Sequence, residues 1–288
     1  RPLYFLISAC LTNIVLDLLF VVVFGWQVVG VALATVISQV VSAVLVMMTL
    51  CRTSQVYRLQ LKKIRFYGDM LVRIVRIGLP AGLQSVMYSL SNIIIQASVN
   101  SFGTDTIAAW TAQGKVDGFF WMILGAYGVA ITTFVGQNFG AREYGRMHKS
   151  VKVCMLMAAG TTIVTSVLFC VFASPLISLF STDAAVLQEG VSIMRQLAPW
   201  YITFVCIEIL SGAIRGTGDS LIPMLITCGG VCVLRVVWIF AVLPLHRTFS
   251  TLIVSYPITW IITSVLFVLY YWKGGWLRRR MALQQTAE

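Results

Sequence analysis

Asp17 is the residue of this sequence that most needs explaining. It is an acid inside a run of apolar residues between Leu3 and Phe24. An ionisable side chain at membrane depth is costly enough to mark a functional site. Asn13 precedes it by four residues, on the same helical face. Asp17 lies seven residues before Phe24, and Thr35 lies seven after Val28 in the next apolar run. At a rise of about 1.5 Å per residue, both sit at one depth, roughly 10 Å inside the same boundary. Asn13, Asp17 and Thr35 can therefore converge from two adjacent helices. Their oxygens suit a hard cation such as Na+, and the carboxylate alone suits proton exchange. No other metal site is expected. The plainer alternative is a polar clasp that only glues the two helices. The acid favours function; Thr35 taken alone favours the clasp.

A second set lies further on. Gln84, Tyr88, Asn92, Gln96 and Asn100 recur every four residues, with Ser85 and Ser89 beside them. Such a ladder is expensive against lipid, so it should face the bundle interior or a wet cavity. It drifts around the helix by about 40° per step, so one cavity cannot see all five equally. Gln84, Tyr88, Asn92 and Gln96 are candidates to line a substrate cavity or to pack within the bundle. Glu208, inside a later span, is a further cavity candidate, or an acid snorkelling toward the inner surface. Arg235 is also within a span, but a Glu208–Arg235 pair would need both side chains stretched. Pro80 and Pro257 are candidate kinks. The Gly-x-Gly of Arg215–Asp219 sits in a tight turn with no strand ahead, so it is no nucleotide loop. No Walker A pattern, catalytic triad or cluster of metal ligands appears. The chain is therefore not expected to be an enzyme, to have catalytic residues, or to need a cofactor beyond a coupling ion.

The elements that must position these residues follow from composition. Of 288 residues, 59% are hydrophobic and 11% charged, against about 25% charged in soluble domains. Runs of roughly 20 apolar residues, enough to cross a bilayer core, predict eight helices at 3–24, 28–50, 77–100, 116–137, 153–173, 193–214, 221–243 and 251–272. The stretch 52–76 is basic, with Arg52, Arg58, Lys62, Lys63, Arg65, Arg73 and Arg76 against Asp69. Placed in the cytoplasm, it brings Arg142, Arg146, Lys149, Lys152, Arg215, Lys273, Arg278, Arg279 and Arg280 to the same side, the sidedness that Lys/Arg-rich loops follow. Both termini then face the cytoplasm. Trp26, Trp110 and Trp200 fit an outer aromatic belt, and Trp272 and Trp276 an inner one. The net charge of +11 is spread over loops, which speaks against nucleic acid. Scattered cysteines speak against a disulfide framework, and Cys228 and Cys232 read as small packing residues. The hairpin from Leu6 is echoed by the one from Leu225, which points to two homologous lobes.

Several strings together resemble the multidrug and toxic compound extrusion (MATE) family: GLPAGLQ (78–84), TFVGQNFGA (133–141), SGAIRGTGDS (211–220) and SYPITW (255–260), with GVALATVISQ (30–39) and the VLR of 233–235. The resemblance implies an all-α, polytopic transporter of twelve helices in two six-helix lobes. Residues 1–50 would be the last two helices of the N-terminal lobe. Residues 51–76 would be the cytoplasmic inter-lobe loop, 77–272 the six-helix C-terminal lobe and 273–288 a cytoplasmic tail. The chain, which opens on Arg1 and enters a span at once, would be a fragment. The implied activity is efflux of organic, mainly cationic, small molecules by alternating access, driven by Na+ or H+, in the bacterial inner membrane, by a protein monomeric when full-length. Asn13, Asp17 and Thr35 match the family's first-lobe cation site, which also uses an Asp on the absent first helix. The second lobe departs from members with an acid on helix seven: 77–100 has none, unless Glu208 substitutes. The rival readings are a lipid-linked saccharide flippase of the same broader superfamily and a non-transporting membrane scaffold.

Overall fold

Lipid offers no partner to a free amide or carbonyl, so each apolar run must close its own backbone hydrogen bonds as a helix. The computed structural model describes residues 2–55, 58–273, 275–277 and 281–282; Arg1 and the tail residues Arg278, Arg279 and Arg280 lie outside the described residues. Among those described, eight helices are long and apolar enough to span a membrane. They are α1 (Leu3–Val23), α2 (Gln27–Arg52), α3 (Gly68–Asn100), α4 (Thr104–Gly140), α5 (Tyr144–Val171), α6 (Ala184–Gly216), α7 (Leu221–Ala241) and α8 (Phe249–Lys273).

All eight expected spans are present, but several are longer than their apolar runs. Residues 68–76 of the basic stretch already belong to α3, and α4 starts at Thr104 rather than near Val116. A helix propagates through polar residues at little cost once nucleated, so an apolar count misses its polar turns. Two helices contain π-helical turns, Leu19–Val23 in α1 and Cys228–Val233 in α7. Pro80 lies inside α3 and Pro257 inside α8.

The chain forms two compact units, Arg1–Gly68 and Asp69–Glu288. In the first, α1 and α2 make a hairpin turned at Gly25, which has φ +68°. Gly30 of α2 lies so close to α1 that a Cβ there would be 2.8 Å from the Cβ of Phe20. Gly30, Ala34 and Ser38 are the buried residues of α2. Small residues at that spacing let two helices approach closely.

The second unit is built on a tighter seam, between α4 and α6. Gly128, Thr132 and Gly136 on one helix meet Gly212 and Gly216 on the other. A Cβ on Gly216 would lie 2.7 Å from the Thr132 carbonyl oxygen, and one on Gly212 3.0 Å from that of Gly128. The Thr132 hydroxyl donates to the carbonyls of Gly128 and Gly212, at 2.7 and 3.0 Å. At the other end, Thr106 donates to Glu189 across the same two helices, at 2.8 Å. Around this seam a large apolar cluster includes Phe120, Leu124, Ile131, Tyr201, Ile209 and Phe267. In contrast, α3 enters that cluster only through Tyr88 and anchors a second one through Ile95 and Val99, against Ile239, Leu243 and Leu252.

Two residues of the expected aromatic belt turn inward. Trp276 is 3% exposed and donates its indole N–H to the Tyr271 carbonyl at 3.0 Å, and Trp110 packs against the core. Their rings find more apolar contact inside than at a headgroup boundary. Trp26, Trp200 and Trp272 remain exposed.

The seam makes a direct prediction. Gly216→Ala, whose new methyl meets backbone, should destabilise the protein by about 1–3 kcal/mol, seen as a lower thermal midpoint in detergent. Gly229→Ala, where a Cβ meets nothing within 4 Å, should leave the midpoint nearly unchanged.

Candidate functional site

In the hairpin, Asn13 and Asp17 are half-buried. Asn13 Nδ2 and Asp17 Oδ1 are shielded from solvent and have no hydrogen-bond partner. A buried polar atom left in that state asks for a ligand. Thr35 does not join them: it is exposed, and its hydroxyl donates back to the Val31 carbonyl of its own helix at 2.9 Å. It stands one position from the buried Ala34, so the face that meets α1 runs past it.

In the six-helix unit a cavity of about 490 Å³ opens among α3, α4, α6, α7 and α8. That is a usual volume for a small-molecule site. Of the ladder on α3, Gln84, Tyr88 and Asn92 line it and Gln96 does not. The drift of a four-residue repeat carries Gln96 off the face, where its amide donates to Asn100 at 2.9 Å. Glu208 lines the cavity and pairs with Arg215, at 3.8 Å, rather than with Arg235. Its carboxylate occupies the space a side chain at position 128 would need. Gly128, a seam residue, is thus also what admits the acid.

Asp117 is the acid that sequence reasoning missed. With α4 drawn from Val116, it seemed to stand at a boundary; in a helix from Thr104 to Gly140 it lies well inside. It lines the cavity with Trp110, Gln113, Gly114 and Trp121, a set spaced by three and four residues. That stripe was the readable signal. One Asp117 oxygen accepts the hydroxyl of Tyr201, a residue with no exposed surface. The Tyr201 ring is fixed by stacking on Phe120, with centroids 4.2 Å apart.

The remaining wall is aromatic. Trp110, Tyr256, Trp260, Phe204 and Trp121 form a continuous series of ring contacts at 4.9–5.9 Å, and all five line the cavity. Polar atoms punctuate it: Gln84 Oε1, Gln113 Nε2, Arg215 Nε and Arg235 Nε are buried without a partner, and each belongs to a lining residue. The arrangement can hold a flat or cationic organic molecule against ring faces, with carboxylates nearby to balance charge.

Comparison with known proteins gives a consistent family. The MatE family model matches residues 80–240. The chain is 27% identical over 291 residues to the probable multidrug resistance protein YoeA of Bacillus subtilis, covering 97% of this chain and 62% of that protein. It is 23% identical to the multidrug export protein MepA of Staphylococcus saprophyticus, covering 75% of this chain and 48% of that one. The chain thus spans between about half and two thirds of the length of these relatives. Its fold matches an outward-facing structure of a multidrug resistance MATE family transporter at a TM-score of 0.85 and 20% identity, covering 98% of this chain and 62% of that chain. It also matches a MOP superfamily transporter from Pyrococcus furiosus, described as having a binding pocket of reversed polarity, at 0.87 and 19% identity, with the same coverage.

The Asp117–Tyr201 contact is testable alone. Tyr201→Phe keeps the stacked ring and strips the carboxylate of a donor, so stability should fall by about 1–3 kcal/mol. In a double-mutant cycle with Asp117→Asn the two losses should not add. Additive losses would show that the two groups are uncoupled.

Proposed function

The chain belongs to the MatE family, and on that premise we propose that it is part of a two-lobe transporter that exports small organic, mainly cationic, molecules by alternating access. The single observation that carries this reading is the cavity of the six-helix unit. Six aromatic rings and the carboxylates of Asp117 and Glu208 surround a drug-sized volume, which is the chemistry that recognises an organic cation. The relatives' names point the same way.

The driving ion is Na+ or H+. Asp17, with Asn13 beside it, is the proposed coupling site in the hairpin, because its Oδ1 is buried and unpartnered. A carboxylate so placed gains a neutralising cation or proton in one state and loses it in the other. Thr35 would join only after a change of rotamer. The stretch 52–76 is the proposed cytoplasmic linker between lobes, with both ends of the chain on the cytoplasmic side of the bacterial inner membrane. The protein acts as a monomer in this reading.

Arg215 and Arg235 on the cavity wall favour a second reading, a flippase for lipid-linked saccharides. The two carboxylates on the same wall would repel its pyrophosphate, so export of organic cations fits better.

The test is export of a cationic dye from proteoliposomes holding the full-length protein, under an imposed Na+ or H+ gradient. Wild type should export under one of them. Asp17→Asn, at equal incorporation, should lose at least about tenfold of the gradient-driven rate, the cost of removing one charged contact. Undiminished export in that variant would remove the coupling assignment. No export by wild type under either gradient would remove the efflux reading.

A further inference from the structure

Arg235 has no part in the cation-export reading, and its surroundings are unusual. It is 4% exposed and lines the cavity. Its Nη2 donates to the Thr259 hydroxyl at 3.1 Å, and its guanidinium lies 3.8 Å from the centre of the Tyr256 ring. Its Nε has no partner. Among the described residues, no carboxylate lies within 4.0 Å of it; the ion pair formed is that of Glu208 with Arg215. A guanidinium offers five N–H donors, and here a single hydrogen bond uses them. A buried cation without a counter-ion is strongly disfavoured unless something completes it. The nearby acids are already held, Glu208 by Arg215 and Asp117 by Tyr201.

The echo between hairpins adds an independent observation. Val15-Leu16-Asp17 in α1 corresponds to Val233-Leu234-Arg235 in α7. In α1 the π-helical turn Leu19–Val23 follows its triplet, and in α7 the turn Cys228–Val233 runs into it. The matched triplets carry opposite charges, a carboxylate in the first and a guanidinium in the second.

We infer that Arg235 is an anion subsite of the cavity and that the preferred ligands are amphoteric, with an aromatic cationic part and a carboxylate. The carboxylate meets the free edge of the Arg235 guanidinium, a planar group that matches it in shape. The cationic part lies against the aromatic wall on the side of Asp117. This deepens the reading of the cavity as the substrate site and rests on it.

The experiment compares two probes on the purified full-length protein: a xanthene dye with cationic amino groups and a free carboxylate, and the methyl ester of the same dye. The ester keeps the ring system and the cationic amino groups and replaces the anion by a neutral methyl ester. Wild type should bind the acid at least about tenfold more tightly than the ester, the usual worth of a charge-assisted hydrogen bond. In Arg235→Gln that ratio should fall toward one, whatever happens to the absolute affinities, and Arg235→Lys should retain part of it. A wild-type ratio of one or below overturns the proposal, as does a ratio that survives in Arg235→Gln. Should Arg235→Gln lose its cooperative thermal transition, the wild-type ratio and its reduction in Arg235→Lys decide. The failures are separable: binding of the ester with no preference for the acid removes the anion subsite alone. Binding of neither probe by wild type removes the cavity as substrate site as well.

Discussion

The backbone contact between α4 and α6 is the constraint on which the six-helix unit depends. Lipid supplies no hydrophobic force to press helices together, so close packing of small residues must do so. Gly128, Thr132 and Gly136 on α4 and Gly212 and Gly216 on α6 reduce the separation to backbone contact. The same approach decides where the charges go. Gly128 leaves space for the Glu208 carboxylate, and Tyr201, at the start of α6's main helical run, reaches Asp117 on α4. A larger residue in the seam would separate the helices and uncouple Asp117 from Tyr201.

Buried charge is affordable here because most of it is shared. Glu208 has Arg215, and Asp117 has the Tyr201 hydroxyl, so each acid carries a donor into the low-dielectric interior. Arg235 is held differently, by the face of Tyr256 and one threonine. A cation over a ring is stabilised by a fixed quadrupole that cannot be neutralised by moving a proton. Such a site keeps its charge whatever enters the cavity.

Much of the fold was legible because apolar runs of the right length admit one backbone solution in lipid, and the strings that carried the family resemblance prove to be pieces of the seam and the cavity. Gly136, in TFVGQNFGA, has its Cβ space closed by the Gly216 carbonyl, in SGAIRGTGDS. Gln84, in GLPAGLQ, and Tyr256 and Trp260, in SYPITW, line the cavity. Helix ends were less legible. The turns from Thr104 to Lys115 are too polar for an apolar count, and Asp117 was lost with them. The ladder on α3 was read at the right face but one step too far, because four-residue spacing overshoots the helical repeat and takes Gln96 away. Glu208's partner was also out of reach, since Arg215 looked like a loop residue where α6 in fact continues to Gly216.

The unequal packing of the helices bears on how such a cavity could open. The seam joins α4 to α6 through backbone contacts and side chain–carbonyl hydrogen bonds, so sliding one helix along the other would break close contacts along several turns. The wall formed by α3 is different. Its exposed apolar residues run from Met70 to Ile93, and its firm attachment is the cluster of Ile95 and Val99 near its C-terminal end. Pro80 interrupts its hydrogen-bond ladder one turn before Gln84. Swinging the first part of α3 about that anchor moves Gln84 and Tyr88 while leaving Asp117, Glu208 and Arg235 in place on the other helices. Asp117 and Glu208 stand on the two helices of the seam and Arg235 on α7, whereas Gln84, Tyr88 and Asn92 stand on α3. A molecule held through those charges would stay on α4, α6 and α7 while α3 rearranged beside it.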